Sequence, residues 1–276
     1  MKAKFTIFVL LYGDYAWLTE RCLNSILTQI PPDHLNLRIG MNEVSGTTSN
    51  YVEECVKLGW LPQENVYEST ENIHKYPLMH RMFNDSDNPI TTPYTMWFDD
   101  DSYLRESAND GPPWLTKVEA AMINADMIGG KYSQDFAGNQ TAWVEQQSWY
   151  TGRAFLRKGY NQTAYASFIT GGWWTMRTEI LRTYDYPWDE LDHRGGDVML
   201  GEMLRQQGKR VVQFREGVAI NADPNGVESR ATKRGFNSKP IGYNYDPGVA
   251  ASVHRAGAMV APVVATRKKG TIILDL

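Results

Sequence analysis

Hydrophobic positions along this chain alternate between short unbroken apolar runs and longer stretches with helical spacing. Residues 5–11 form a seven-residue apolar run, which predicts a buried parallel strand. Behind it, Leu18, Cys22, Leu23, Ile26 and Leu27 recur at helical spacing, and Pro31-Pro32 ends that stretch. The alternation continues with strands predicted over 35–41, 65–68, 94–98 and 126–132. Helices are predicted between them over 49–58, 78–83 and 114–125. Strand and helix in succession imply right-handed crossovers and a mostly parallel sheet.

Residues 132–167 interrupt this regularity. They are rich in Gln, Gly, Trp and Tyr without a clear period, and a stretch of that kind is expected to be a binding loop. Residues 168–177 with a Gly-Gly pair, helices over 178–183 and 197–207, and a short strand over 210–214 follow. From Gly217 onward Gly, Asn and Pro recur, which predicts an irregular extension. The expected class is therefore α/β, a Rossmann-like, mostly parallel sheet flanked by helices, with an irregular C-terminal extension.

Composition narrows the setting. With 276 residues and 42% apolar side chains the chain can bury a sizeable core. A membrane-spanning helix needs about 20 apolar residues, and residues 5–11 are too few. Lys2 and Lys4 precede that run as in a signal peptide, but no small-residue cleavage site follows. Cys22 and Cys55 are too few for a disulfide framework, so reduced thiols and a cytoplasmic location are expected. The net charge of −4 is uneven. From Gly226 to the end there are eight Lys/Arg against three Asp/Glu, which leaves −9 on the preceding residues. A basic tail on an acidic body argues against wholesale coating of nucleic acid but suits local contact with phosphate.

Three groups of residues carry candidate chemistry. Asp99, Asp100 and Asp101 directly follow the apolar strand at 94–98. Ligands of open α/β sheets collect at the carboxyl ends of strands, and adjacent carboxylates repel unless a cation neutralises them. Hard oxygen ligands suit Mn²⁺ or Mg²⁺ bridging a diphosphate; a solvated acidic turn is the alternative. In Gly171-Gly172-Trp173-Trp174, the glycines would admit close backbone approach and the indoles would offer flat faces to a sugar or base. Core packing of the two Trp residues is the other reading. Asp197, on His193-Arg194-Gly195-Gly196-Asp197 before a helix, is either an N-cap or a general base.

These elements, in this order, resemble the family-2 glycosyltransferases of the GT-A fold over residues 4 to 221. The resemblance implies that Leu11, Tyr12, Gly13 and Asp14 form the loop holding the nucleotide base, with Asn42 or Glu43 contacting that base. It implies that Asp101 is the direct metal ligand and that Asp99 or Asp100 reaches the ribose or the metal. Gly171 and Gly172 match the family's acceptor segment, and Asp197 the acid that acts as base. The His that many members use as last metal ligand aligns with Asn221; His254 or Asp223 could supply that ligand instead. Lys75 and Arg81 lie in a stretch that runs near the donor in the family, where a cation could face phosphate. Arg230, Lys233 and Arg234 could clamp the diphosphate from the tail.

The implied activity is metal-dependent, inverting transfer of a sugar from a nucleotide sugar, with a UDP-sugar the first expectation. The acceptor is a hydroxyl of a glycan or metabolite, or of a modified nucleobase; nucleic acid enters only as that acceptor. Trp173, Trp174 and Trp149 are the expected acceptor contacts. Residues 1–221 would form the catalytic domain, with a donor half to about residue 131 and an acceptor half from about 132. Residues 222–276 would form the basic extension. A nucleotidyltransferase-like enzyme is the nearest rival, although residues 11–14 lack a Gly-rich phosphate loop ending in Arg or Lys. A non-catalytic carbohydrate-binding module would need neither nucleotide nor metal.

Overall fold

A computed structural model of the chain describes residues 3–191, 195–223 and 226–228, and the backbone of two strands near the C-terminus. Strands β1 (Phe5–Tyr12), β2 (Asn36–Asn42), β3 (Val66–Ser69) and β4 (Tyr94–Asp99) pair in parallel. They are connected through helices α1 (Ala16–Gln29), α2 (Gly46–Lys57) and α3 (Lys75–Phe83). Next come the short strand β5 (Tyr103–Leu104), α4 (Trp114–Met122), β6 (Met127–Asp135), α5 (Gln140–Glu145), β7 (Leu156–Lys158) and β8 (Thr163–Arg177). Helices α6 (Thr178–Thr183) and α7 (Gly196–Gln206) and strands β9 (Val211–Gln213) and β10 (Val218–Ala219) follow. Strands β11 (Val264–Lys268) and β12 (Thr271–Asp275) pair with each other.

Eight strands form one sheet in the order β3-β2-β1-β4-β8-β6-β9, with β7 beside β8. The expected class holds: an α/β chain whose sheet is mostly parallel and covered by helices. Strand β8 is the exception, running antiparallel to β4, β6 and β7. Alternation along β1 assigns the two faces. Phe5, Ile7, Val9 and Leu11 join the core built with α1, α2 and α4, whereas Phe8 and Leu10 join the one built with α3, α6 and α7.

Residues 132–167 are more regular than their composition predicts. Strand β6 runs on to Asp135 and pairs with β8 from Lys131↔Ile169 to Asp135↔Tyr165. Here residues 131–135 of β6 are mostly exposed, so its apolar signal fades while backbone pairing continues, and β8 opposite still sends Ala166, Phe168 and Ile169 into the core. Helix α7 then lies directly on β8. A Cβ at Gly201 would stand 2.4 Å from Phe168 Cβ and 2.6 Å from Ser167 O, so only glycine permits this approach.

Among the described residues no helix is long and apolar enough to cross a membrane. Cys22 and Cys55 are buried, free thiols.

Candidate active site

Parallel register brings the carboxyl ends of four strands to one edge. Tyr12 is level with Asn42, Asn42 with Ser69, and Leu10 with Asp99. At that edge the acidic turn is already partly neutralised. Lys75, at the start of α3, places Nζ 2.7 and 2.8 Å from the two carboxylate oxygens of Asp99 and 2.9 Å from the carbonyl of Gly171. Trp97 Nε1 donates to Asp99 Oδ1 at 2.9 Å. Asp100 is buried and accepts from the Tyr12 N–H at 3.4 Å, tying β4 to β1. Asp101 is buried beside Arg21, whose guanidinium feels its charge.

Arg21 reaches across from α1 to the segment after β10. It donates to the carbonyls of Ala222 and Asp223, each at 2.6 Å, and lies 4.2 Å above the ring of Tyr103. Burial lowers its pKa, partly offset by the surrounding acids. Ala222 N–H donates to Asp101 O at 2.7 Å and Asn221 N–H to Ser102 Oγ at 3.1 Å. Asn221 has φ 51, a left-handed conformation that asparagine tolerates better than most residues. Its side chain fills the space over Gly172, where a Cβ would meet Asn221 Oδ1 at 2.0 Å. Asn221 and Asp223 therefore both sit beside the acidic turn.

Asp197 occupies the first turn of α7 and is half-buried. Its carboxylate accepts from Val198 N–H at 3.0 Å and from Gly171 N–H at 3.3 Å, while its own N–H donates to Tyr76 Oη at 3.1 Å. Burial raises its pKa above the ordinary aspartate value; Lys75 and these N–H donors act in the opposite direction. Gly171 thus links both ends of the site, its carbonyl bonding to the partner of Asp99 and its N–H to Asp197.

At the carboxyl end of β2, Asn42 is buried with its side chain engaged at both ends. Its Oδ1 accepts from Ile73 N–H at 3.0 Å and its Nδ2 donates to Asn72 Oδ1 at 2.9 Å. Asn72 also donates to Tyr12 Oη at 3.0 Å, and Tyr12 Oη lies 3.5 Å from Glu43 Oε2. Exposed Glu43 is thus the acid of this group that reaches solvent.

The side chains of Leu11, Trp149, Trp173 and Trp174 lie in the core, against expectation, and the other expected residues are placed as follows. Leu11, expected at the donor, is fully buried in the core. Asp14 holds the start of α2, accepting from Thr48 N–H at 3.2 Å and Thr48 Oγ1 at 3.1 Å. Arg81 is exposed and donates to Glu68 O on edge strand β3. A Cβ at Gly171 would meet Lys75 and Asp197, and one at Gly172 would meet Asn221 and Ile220. Trp173, Trp174 and Trp149, at 0%, 1% and 3% exposure, have no surface to offer an acceptor. Trp174 stacks on Trp97 with centroids 6.2 Å apart, Trp173 packs against Phe98 and Trp114, and Trp149 against Trp143 and Trp188. Arg230, Lys233, Arg234 and His254 lie outside the described residues, as do His193 and Arg194.

Sequence reasoning missed four participants: Arg21, Asn72, Tyr76 and Ser102. Tyr76 is adjacent to Lys75 in a helix, but nothing in the sequence signals the other three, which join the site through partners far away in the chain. Among the described residues no three His, Cys, Asp or Glu side chains converge as a metal-binding group.

No family model matches the chain, and no curated protein matches it. Solved structures with partial likeness include S. aureus TarS residues 1–349, at 16% identity and TM-score 0.49, covering 78% of this chain and 58% of that one. A mannosyltransferase from Pyrobaculum calidifontis, in complex with GDP-Man and Mn²⁺, gives 15% identity and TM-score 0.48, covering 78% and 55%. HddC from Yersinia pseudotuberculosis gives 11% identity and TM-score 0.44, covering 80% and 95%. The chain spans between one half and three fifths of the first two.

Proposed function

We propose that the chain is a glycosyltransferase that moves a sugar from a nucleoside-diphosphate sugar to an acceptor hydroxyl with inversion, using Asp197 as base. The observation that carries this reading is the joint hold on Gly171. Through that one residue the acidic turn and a half-buried carboxylate of raised pKa face the same carboxyl edge of the sheet. That edge is where open α/β sheets take ligands. A carboxylate whose pKa is raised is, in its ionised form, a stronger base than an ordinary aspartate.

In the proposed reaction Asp197 accepts the acceptor proton as the hydroxyl attacks the anomeric carbon, and the nucleoside diphosphate leaves from the opposite face. Glu43 and Tyr12 would meet the base. The acceptor would enter on the side of residues 136–162, where Gln140 of α5 stands against Gly195. Half-buried Trp143 and Tyr150 replace the three core indoles as aromatic candidates there. Residues 1–221 supply this machinery, and Arg230 and Arg234 remain proposed diphosphate contacts from the extension.

The donor set fits a divalent ion that arrives with its substrate. Mg²⁺ commonly uses one or two carboxylates plus substrate phosphates instead of an all-protein cage. Asp101 would be the leading ligand, with Asp99 second and His254, Asn221 or Asp223 completing the set. When bound, Mn²⁺ or Mg²⁺ would offset charge growing on the departing diphosphate. A screen of UDP-, GDP- and dTDP-sugars with Mn²⁺ tests the proposal. Nucleotide release from one donor, lost in Asp101→Asn, is expected; no turnover of any donor would contradict it.

A further inference from the structure

We propose that Lys75 is the positioning residue of this site, a strut that ties the acidic turn to the acceptor strand instead of a contact to donor phosphate. The inference rests on the glycosyltransferase reading only for its catalytic consequence. An ammonium group has three donors and no acceptor. Three protein oxygens already surround Lys75 Nζ, the two of Asp99 at 2.7 and 2.8 Å and the carbonyl of Gly171 at 2.9 Å. A phosphate could reach this ammonium only by displacing one of them.

The surroundings fix both partners. Trp97 Nε1 holds Asp99 Oδ1 from a second direction, and its ring lies 5.5 Å from Nζ. The Lys75 and Asp99 side chains are only 17% and 27% exposed, so solvent screens the pair weakly. A Cβ at Gly171 would stand 3.0 Å from Nζ and 3.8 Å from Asp197 Oδ2, so a side chain at 171 would wedge between strut and base. The Gly171 N–H that meets Asp197 is therefore held in place from its own carbonyl side by Lys75. Loss of the ammonium frees strand β8 at this point and leaves the base misaligned, and a misplacement of about 1 Å can cost about 10²-fold in rate.

The test uses the full chain with Lys75→Ala and Lys75→Arg, each checked for wild-type circular dichroism. Amide hydrogen exchange at Gly171 reads the strut without reference to catalysis, and calorimetry with UDP and Mn²⁺ reads the donor. In Lys75→Ala, Gly171 exchange is expected to rise at least about tenfold, with UDP affinity within about threefold of wild type. Transfer is expected to fall about 10²-fold in kcat and to recover partly with added methylamine or in Lys75→Arg. Unchanged Gly171 exchange would overturn the strut. Loss of UDP affinity in step with kcat would assign Lys75 to the phosphate and overturn it as well. If wild type neither binds nucleotide nor transfers sugar, the glycosyltransferase reading fails while the exchange result still decides the strut.

Discussion

The ring of Tyr76 occupies the space that a side chain at Gly196 would need: a Cβ there would stand 2.2 Å from Tyr76 Cζ. The contact sets the height at which α7 begins, because Tyr76 Oη accepts the N–H of Asp197 one residue later. Overpacking of this kind costs about 1–3 kcal/mol. Gly196→Ala is expected to lower the denaturant midpoint accordingly and to reduce turnover by more than the stability loss explains. Wild-type turnover in a folded Gly196→Ala would show that the position of Asp197 is not critical.

Asp197 itself allows a sharper expectation. Its pKa is raised in the folded chain, chiefly by burial. If ionised Asp197 is the base, as proposed, kcat/KM should fall as pH drops through a value above the ordinary aspartate range near about 4. The stability sign is opposite. The folded state holds this proton more tightly than the unfolded state, so this contribution is full below the unfolded pKa and is lost as pH rises through the folded pKa. Asp197→Asn removes the penalty of burying a charge at neutral pH. It is expected to fold with a Tm no lower than wild type while losing about 10²–10⁴-fold in rate. Paired melting and rate measurements at pH 7 check both halves.

Arg21 anchors the segment after β10 through two carbonyls at 2.6 Å. Hydrogen bonds to a charged group contribute about 1.5–3 kcal/mol. Arg21→Ala should lose that much in a denaturant melt, and because Ala222 also bonds Asp101 O, affinity for UDP with Mn²⁺ should weaken with it. A melt shift with unaltered affinity would separate the clasp from the site.

Gly172→Ala is expected to be among the more damaging single-methyl changes. The new Cβ would meet Asn221 Oδ1 at 2.0 Å and Ile220 Cγ2 at 2.9 Å. If the steric conflict is the cause, Gly172→Ala combined with Asn221→Gly should recover part of the lost stability in a thermal melt.

The parts legible in the sequence are those written locally. The apolar run of β1, the strand entering Asp99 and the helix Thr178–Thr183 all follow from neighbouring residues alone. Trp173 and Trp174 show the limit. Adjacent strand residues point to opposite faces, and here each face is covered, so both indoles enter a core. A Gly-Gly-Trp-Trp string cannot reveal that. Nor could it show that its glycines make room for Lys75 and Asn221, from positions far away in the chain. The full length of β8 was hidden because its first three residues, 163–165, are exposed or half-buried and carry little apolar signal.

The most direct test of the central claim is calorimetric titration of the full chain with UDP, GDP and dTDP, with and without Mn²⁺, in wild type and Asp101→Asn. The expected result is binding of at least one nucleotide that requires Mn²⁺ and disappears in Asp101→Asn, with Mn²⁺ alone binding weakly. Nucleotide affinity that ignores both the metal and the substitution, or no nucleotide binding at all, would contradict it.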